Sequence, residues 1–325
     1  MTMEVELARC DSCGENAVLS TMQDTTEGRI CSYCYEDYYR SCDHCGEVFP
    51  ADDVYVYNGE DLCPHCYQQR QEEEHEDNDL YDYNYKPRPV FYPAGSPSRE
   101  DLFLGVELEV EEDKYNAIPY TATQIIDEVG EWVYCKYDSS LNKGMEVVSH
   151  PSILEYHMDG WRPILNILRE DFRSHDTITC GLHVHINKNF LSEVERVRLG
   201  LFIHNQRTRV EKIARRASNR YTKFKNIKTD CATLRDVVYN ADRYEALNWQ
   251  NEHTIEFRMF RGTLNERTFL ATLQFVDSAC RFAKTTQTGY FSQINKIWEK
   301  YLKFLAGKEE YALLREKLKE LGLCA

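Results

Sequence analysis

The chain has 325 residues, 42% of them hydrophobic, and a formal net charge of −15, proportions that suit one sizeable folded domain with small additions. No stretch of about 18 apolar residues occurs, so no membrane-spanning helix is expected. The opening MTMEVELARC has neither the basic start nor the apolar run of a secretory signal, so the cytoplasm is the expected location, where paired cysteines bind metal more often than they form disulfides.

Cys10-x2-Cys13 and Cys31-x2-Cys34 return 32 positions later as Cys42-x2-Cys45 and Cys63-x2-Cys66. Four thiolates at that spacing suit a closed tetrahedral zinc site. A segment this short buries too little apolar surface to fold without one. Gly14 and Gly46 follow the second cysteine of each copy, where a knuckle turn needs an unusual backbone conformation. His44 and His65, inside CxxC pairs, read as bystanders. The pattern resembles LIM and other tandem treble-clef zinc domains, with a longer gap between units: seven residues separate Cys34 from Cys42. Residues 1–70 carry 4 Arg, no Lys and 14 acidic residues, a net −10. Such a domain repels phosphate backbones, so a protein is its expected partner and nucleic acid is not.

Residues 71–100 carry 3 basic and 8 acidic residues, followed by tyrosines and prolines. That composition reads as an extended acidic, Tyr/Pro-rich linker. Residues 101–325 hold 32 basic and 32 acidic residues, and their pattern alternates between strand and helix. Strands are predicted at Asp101–Glu111, Val133–Tyr137, Met145–Ser149, Thr177–Asn187 and Thr254–Arg261, with Asp138–Gly144 as a hairpin loop. Helices are predicted over Ala122–Trp132, over Ile164–Phe172 entered at Pro163, and from Ser192 to Arg216 with Glu195 completing a capping box. Two more are predicted over Glu266–Lys284 and Ser292–Leu321. Short antiparallel strands with helices between them give an α+β sheet domain. Trp132, Trp161, Trp249 and Trp298, with Cys180 and Cys280, read as core or pocket wall.

Four strands place polar groups on one face. Period-2 geometry sets Glu107 beside Glu109, His183 beside His185 and Asn187, and Glu256 beside Arg258, while Glu146 is the one acid in its strand. If those faces coincide, four carboxylates, two imidazoles and an arginine share one concavity. Such a set of like charges calls for divalent cations, and oxygen with some imidazole suits Mg2+ or Mn2+. A solvated antiparallel face also alternates polar and apolar residues. Four strands rich in acid and histidine, with few Lys, Ser or Thr, favour the metal reading. Residues 207–228 hold nine basic residues and one acid, Glu211, a local positive patch that also fits a solvated helix end.

The motifs GVELE, D-S-S-L…G-M-E-V-V-S, CGLHVHIN and RYEALN…TIEFRMFRGT resemble, in order, the amidoligase family of carboxylate–amine ligases, which has the glutamine synthetase / glutamate–cysteine ligase fold. The resemblance covers about residues 101–290. It implies that Glu107, Glu109, Glu146, His183 and Glu256 hold Mg2+ ions, that His185 contacts nucleotide or substrate, and that Arg258 contacts the transferring phosphoryl group. It places Arg215, Arg220 and Arg243 toward phosphate or substrate carboxylate. The implied activity is an ATP- and Mg2+-dependent amide-bond-forming ligase acting through an acyl phosphate, with carboxylate and amine substrates either free or on a protein or peptide. Two alternatives stand beside it: an inactive scaffold that docks a protein through its zinc units, and a metal-dependent hydrolase built on His183 and His185. Nothing resembles a P-loop, a G-x-S-x-G elbow or a dinucleotide fingerprint.

Overall fold

The computed structural model describes residues 6–25, 28–57, 59–74, 79–114, 117–177, 179–239, 243–285 and 296–324. The chain forms two compact units, Met1–Asn78 and Asp79–Ala325.

In the first unit the backbone repeats as the cysteines do, each strand recurring 32 residues on. Strands β1 (Leu7–Arg9) and β2 (Asn16–Val18) pair, β3 (Gln23–Thr25) pairs with β4 (Gly28–Ile30), and α1 (Ser32–Tyr38) follows. The second copy has β5 (Tyr39–Ser41) with β6 (Val48–Pro50), β7 (Tyr55–Tyr57) with β8 (Glu60–Leu62), and α2 (Pro64–Glu74). The aspartate after each first cysteine ties the two hairpins of its copy together. Asp11 accepts the Arg29 N–H at 2.7 Å, and Asp43 accepts the Asp61 N–H at 2.7 Å. The buried centres are small. One consists of Cys10, Ile30, Cys34 and Tyr39, the other of Cys42, Leu62, Cys63 and Cys66. Cysteines make up half of the first and three quarters of the second, so little apolar burial is left to drive folding without metal.

The second unit is mixed α and β around an eight-stranded mixed sheet. Its strands are β9 (Leu80–Tyr81), β10 (Leu104–Glu112), β11 (Val133–Tyr137), β12 (Gly144–Ser149), β13 (Phe172–Arg173), β14 (Gly181–Asn187), β15 (Leu247–Asn248) and β16 (Thr254–Arg261). They run in the order β15-β16-β14-β10-β12-β11-β9, with β13 also beside β10. Every pairing is antiparallel except β9 with β11. Leu104, Val106, Leu108 and Val110 of β10 and Leu182, Val184 and Ile186 of β14 have no exposure. They share one core with Trp161 and Leu165 of α4 (Leu154–Asp171) and with Phe269 and Phe275 of α8 (Glu266–Thr285). The other side chains of these strands are therefore free to build a polar face.

The helices depart from their sequence pattern in instructive places. The first helix of this unit, α3 (Ile118–Val129), ends at Gly130, whose φ of +67° admits glycine most easily, and Gly130–Trp132 is a separate turn. Helix α4 begins nine residues before Pro163 and carries that proline inside it. Burial of Leu154, His157, Trp161, Ile164, Leu165 and Leu168 along one side outweighs the lost N–H. The stretch from Ser192 to Arg216 is two helices, α5 (Glu193–Asn205) and α6 (Arg207–Ala214), broken at Gln206. The capping box forms as expected: Glu195 accepts the Ser192 N–H at 2.7 Å. A short helix, α7 (Ile227–Asp230), follows. The C-terminal pattern divides into α9 (Ile297–Leu305) and α10 (Ala312–Glu320) around Gly307, whose φ is +73°; its predicted start at Ser292 lies outside the described residues. Residues 79–100, whose composition reads as spacer, pack on the second unit. Leu80 is buried, Tyr85 stands edge-on to Tyr134, and the Tyr92 N–H donates to the Pro151 carbonyl at 2.9 Å. Among the described residues no helix is long and apolar enough to cross a membrane.

Candidate functional site

Cys10, Cys13, Cys31 and Cys34 form one cluster, and Cys42, Cys45, Cys63 and Cys66 another. Sulfur separations are 3.9 Å for Cys10–Cys34, 3.9 Å for Cys13–Cys31 and 4.0 Å for Cys45–Cys63. A tetrahedron with Zn–S bonds of about 2.3 Å has edges of about 3.8 Å. Each cluster can therefore hold one zinc ion, as tandem zinc knuckles do. Burial opposes ionisation of Cys10, but backbone N–H groups of Cys13, Cys31 and Ser12 outweigh it and bring the thiol down to about 6. Their counterparts at Cys45, Cys63 and His44 do the same for Cys42, also about 6. Gly14 and Gly46 sit at φ of +77° and +75°, closing the turns that aim these amides.

In the second unit the sheet register assembles the polar face. Glu109 stands opposite Glu146, Glu107 opposite His183, and His185 opposite Glu256. Cross-strand partners share a face, so side chains from four strands meet on the side away from the apolar core. His183 Nδ1 lies 3.4 Å from Glu107 Oε2, 3.8 Å from Glu256 Oε1 and 4.0 Å from Glu109 Oε1. Two donor sets each have their atoms within 4.8 Å of one another: Glu107, His183 and Glu256, and Glu109, Asp138 and Glu146. Opposite ligands on a cation with 2.0–2.1 Å bonds lie about 4.2 Å apart, so each set could hold a metal ion.

The protonation pattern has a physical cause. Burial acts to raise Glu107, but His185 and His183 outweigh it and hold the carboxyl well below the usual range. Glu256 is lowered in the same way, with Arg258 helping. Burial raises Glu109 against the pull of His183 and the Gly181 amide. Burial and repulsion from Glu107 push Glu146 up to about 8, although Lys136 Nζ lies 2.9 Å away. Burial disfavours a charged His183, yet Glu109 and Glu107 outweigh it and raise the ring to about 9. A proton on His183 and a lysine beside Glu146 thus balance acid charge that a divalent cation would balance in their place. Gly181 belongs to this arrangement. Its N–H donates to Glu109, and a Cβ there would lie 2.9 Å from His183 Nε2 and 3.2 Å from Glu109 Oε2.

Glu107, Glu109, Asp138 and Glu146 floor a cavity of about 760 Å3. Its wall carries Arg216, Arg220, Arg243 and Arg258 with Tyr221 and Tyr244. Arg220 and Arg243 lie over the rings of Tyr221 and Tyr244, 4.6 and 5.1 Å from their centroids. Arg258 pairs with Glu256 at a strand irregularity near the middle of β16. An acidic floor facing a guanidinium wall suits a ligand that brings cations to one side and phosphate or carboxylate oxygens to the other.

Most of the residues singled out from the sequence line this cavity: Glu107, Glu109, Glu146, His183, Arg258, Arg220 and Arg243. Glu256 adjoins it, within donor distance of Glu107 and His183. Two lie elsewhere. His185 meets Glu107 Oε1 at 3.3 Å but lines a neighbouring hollow of about 230 Å3 with Tyr134 and His150. Arg215 takes a left-handed conformation, φ +58°, at the end of α6 and lines a different cavity, while Arg216 faces the acids. The expectation for Arg215 passes to its neighbour because one αL residue redirects the chain by a side chain. Asp138, read only as a loop residue, completes the second donor set; its place at the end of β11, beside the strand that carries Glu146, is the signal in the sequence. Asn187 is structural, its Oδ1 accepting the Phe103 N–H at 2.9 Å. Lys225, in the basic run, is spent on Glu245 at 3.2 Å and on the carbonyls of Asp236 and Tyr239. No protein-family model matches the chain, and no curated protein matches it.

Proposed function

We propose that residues 79–325 are an ATP- and Mg2+-dependent carboxylate–amine ligase of the glutamine synthetase / glutamate–cysteine ligase type, and that the zinc unit recruits a protein partner. The observation that carries this reading is the pairing of two carboxylate-rich donor sets with four arginines in one cavity. Bound Mg2+ would supply Lewis-acid neutralisation of the phosphate charge as it develops. Glu107, His183 and Glu256 would hold one ion, and Glu109, Asp138 and Glu146 another. Arg216, Arg220 and Arg258 would hold the triphosphate and the developing phosphoryl charge, and the tyrosine-backed Arg243 would orient it from the rim. In the reaction, a substrate carboxylate takes the γ-phosphoryl group and ADP leaves. An amine then attacks the acyl phosphate, forming the amide and releasing phosphate and a proton.

The hydrolase alternative needs both imidazoles on one zinc. Here the two rings meet different oxygens of Glu107, Oε2 for His183 and Oε1 for His185, which favours the ligase reading. The experiment is Mg2+-dependent ATP binding by calorimetry, followed by ADP release against a panel of amino acids and acidic peptides. Wild type binds MgATP; Glu107→Gln and Glu256→Gln fold normally and lose ADP release by a factor of about 100 or more. Undiminished turnover in both variants, or no ATP binding by wild type, removes the proposal.

A further inference from the structure

A second cavity, of about 570 Å3, opens beside β13 between the end of α4 and the start of α8. Its lining includes Arg169, Arg173, His175 and Arg215 and no carboxylate. Arg215 is pinned from behind. Its Nη1 donates to the Gly262 carbonyl at 3.1 Å and its Nη2 to the Arg261 carbonyl, while its Nε is buried without a partner. Arg169 is held by the Leu264 carbonyl at 2.7 Å and by Asn166 at 3.0 Å. Among the described residues neither arginine has an acid within ion-pair reach. Arg173, at the rim, lies 3.7 Å from Asp113, and both are exposed. Burial, with Arg261 and Arg216 nearby, lowers Arg215 to about 10, the mark of positive charges gathered without a counter-charge. Helix α8 starts in the same cavity, its Asn265 side chain accepting the Thr268 N–H at 3.0 Å, so the positive end of a 20-residue helix adds to the arginines.

Partly desolvated guanidinium groups with no carboxylate are costly unless an anion balances them. The volume lies in the range of small-molecule sites, and the guanidinium fork matches planar carboxylate and phosphate alike. We propose that this cavity binds a small-molecule anion carrying a phosphate or carboxylate group, as a site separate from the acid-floored cavity. The two sites are joined through consecutive residues, because Arg215 serves one and Arg216 the other. This assignment does not rest on the ligase reading and needs neither Mg2+ nor ATP.

The test uses the full chain with its zinc in place, without added divalent cation, titrated calorimetrically with pyrophosphate and, separately, with citrate. The Arg216→Gln/Arg220→Gln double variant silences the other cavity. Saturable binding of at least one probe is expected in that background. Thr268→Glu, which sets a carboxylate in the first turn of α8 where the helix favours acid, should weaken it about tenfold or more. Arg173→Gln, at the exposed rim, should weaken it a few-fold. The preferred probe tells phosphate from carboxylate recognition. Absence of binding by both probes, or undiminished binding in both the Thr268→Glu and Arg173→Gln variants, overturns the assignment.

Discussion

Arg215 and Arg216 show how much rests on one backbone angle. With φ at +58°, Arg215 turns away from the acids and Arg216 meets them, donating to the Cys180 carbonyl at 2.6 Å on the way. No side-chain property in the sequence distinguishes the two. On the ligase reading we expect Arg216→Gln to weaken MgATP binding about tenfold or more, and to lower the melting temperature modestly through loss of the Cys180 carbonyl bond; calorimetry reads the first and a thermal scan the second. Two histidines far from the acids set a pH limit. Burial lowers His157 from 6.5 to about 4, against help from the Leu104 carbonyl, and lowers His204 to about 3, with Lys225 adding to the effect. Both are neutral in the folded chain and protonate more readily when it unfolds. Their contribution is therefore complete above about pH 6.5 and is lost as pH falls toward the folded values, on the order of 2 kcal/mol each by about pH 5. Urea titrations at neutral pH and near pH 5 should show that loss. His157→Gln should flatten the profile even though it lowers stability at neutral pH.

Strands were the legible part of the pattern. Alternation in GVELE and GLHVHIN places Glu107, Glu109, His183 and His185 on one face, and the register then brings them together with Glu146 and Glu256. Helix limits were less legible, because packing outvotes local signals there. Pro163 reads as an N-terminal proline, but the buried side of α4 runs past it in both directions. That helix retains the cost of a proline, so Pro163→Ala should stabilise the second unit by about 1–3 kcal/mol, measured from the denaturation midpoint. The left-handed Arg215 is held by the carbonyls of Arg261 and Gly262, contacts that periodicity does not encode. The tyrosines of residues 81–92 looked like spacer because their partners, Tyr134 and Pro151, lie far along the chain.

The two units differ in what holds them together. The second has a continuous core beneath its sheet, from Leu80 to Leu318. The first has two centres of four buried residues, built around cysteines. Chelation should therefore act on one alone. We expect purified protein to carry two zinc ions by elemental analysis. A strong chelator should unfold residues 6–74 while the second unit keeps its own cooperative transition. Loss of both transitions together would mean that the second unit depends on the first for its stability.

Each edge of the eight-stranded sheet finishes in a stub, β9 at one side and β15 at the other, both two residues long. A neighbouring polypeptide pairing with either stub would gain only a two-residue ladder. Among the described residues, growth of the sheet by a second copy pairing onto either stub is thereby discouraged.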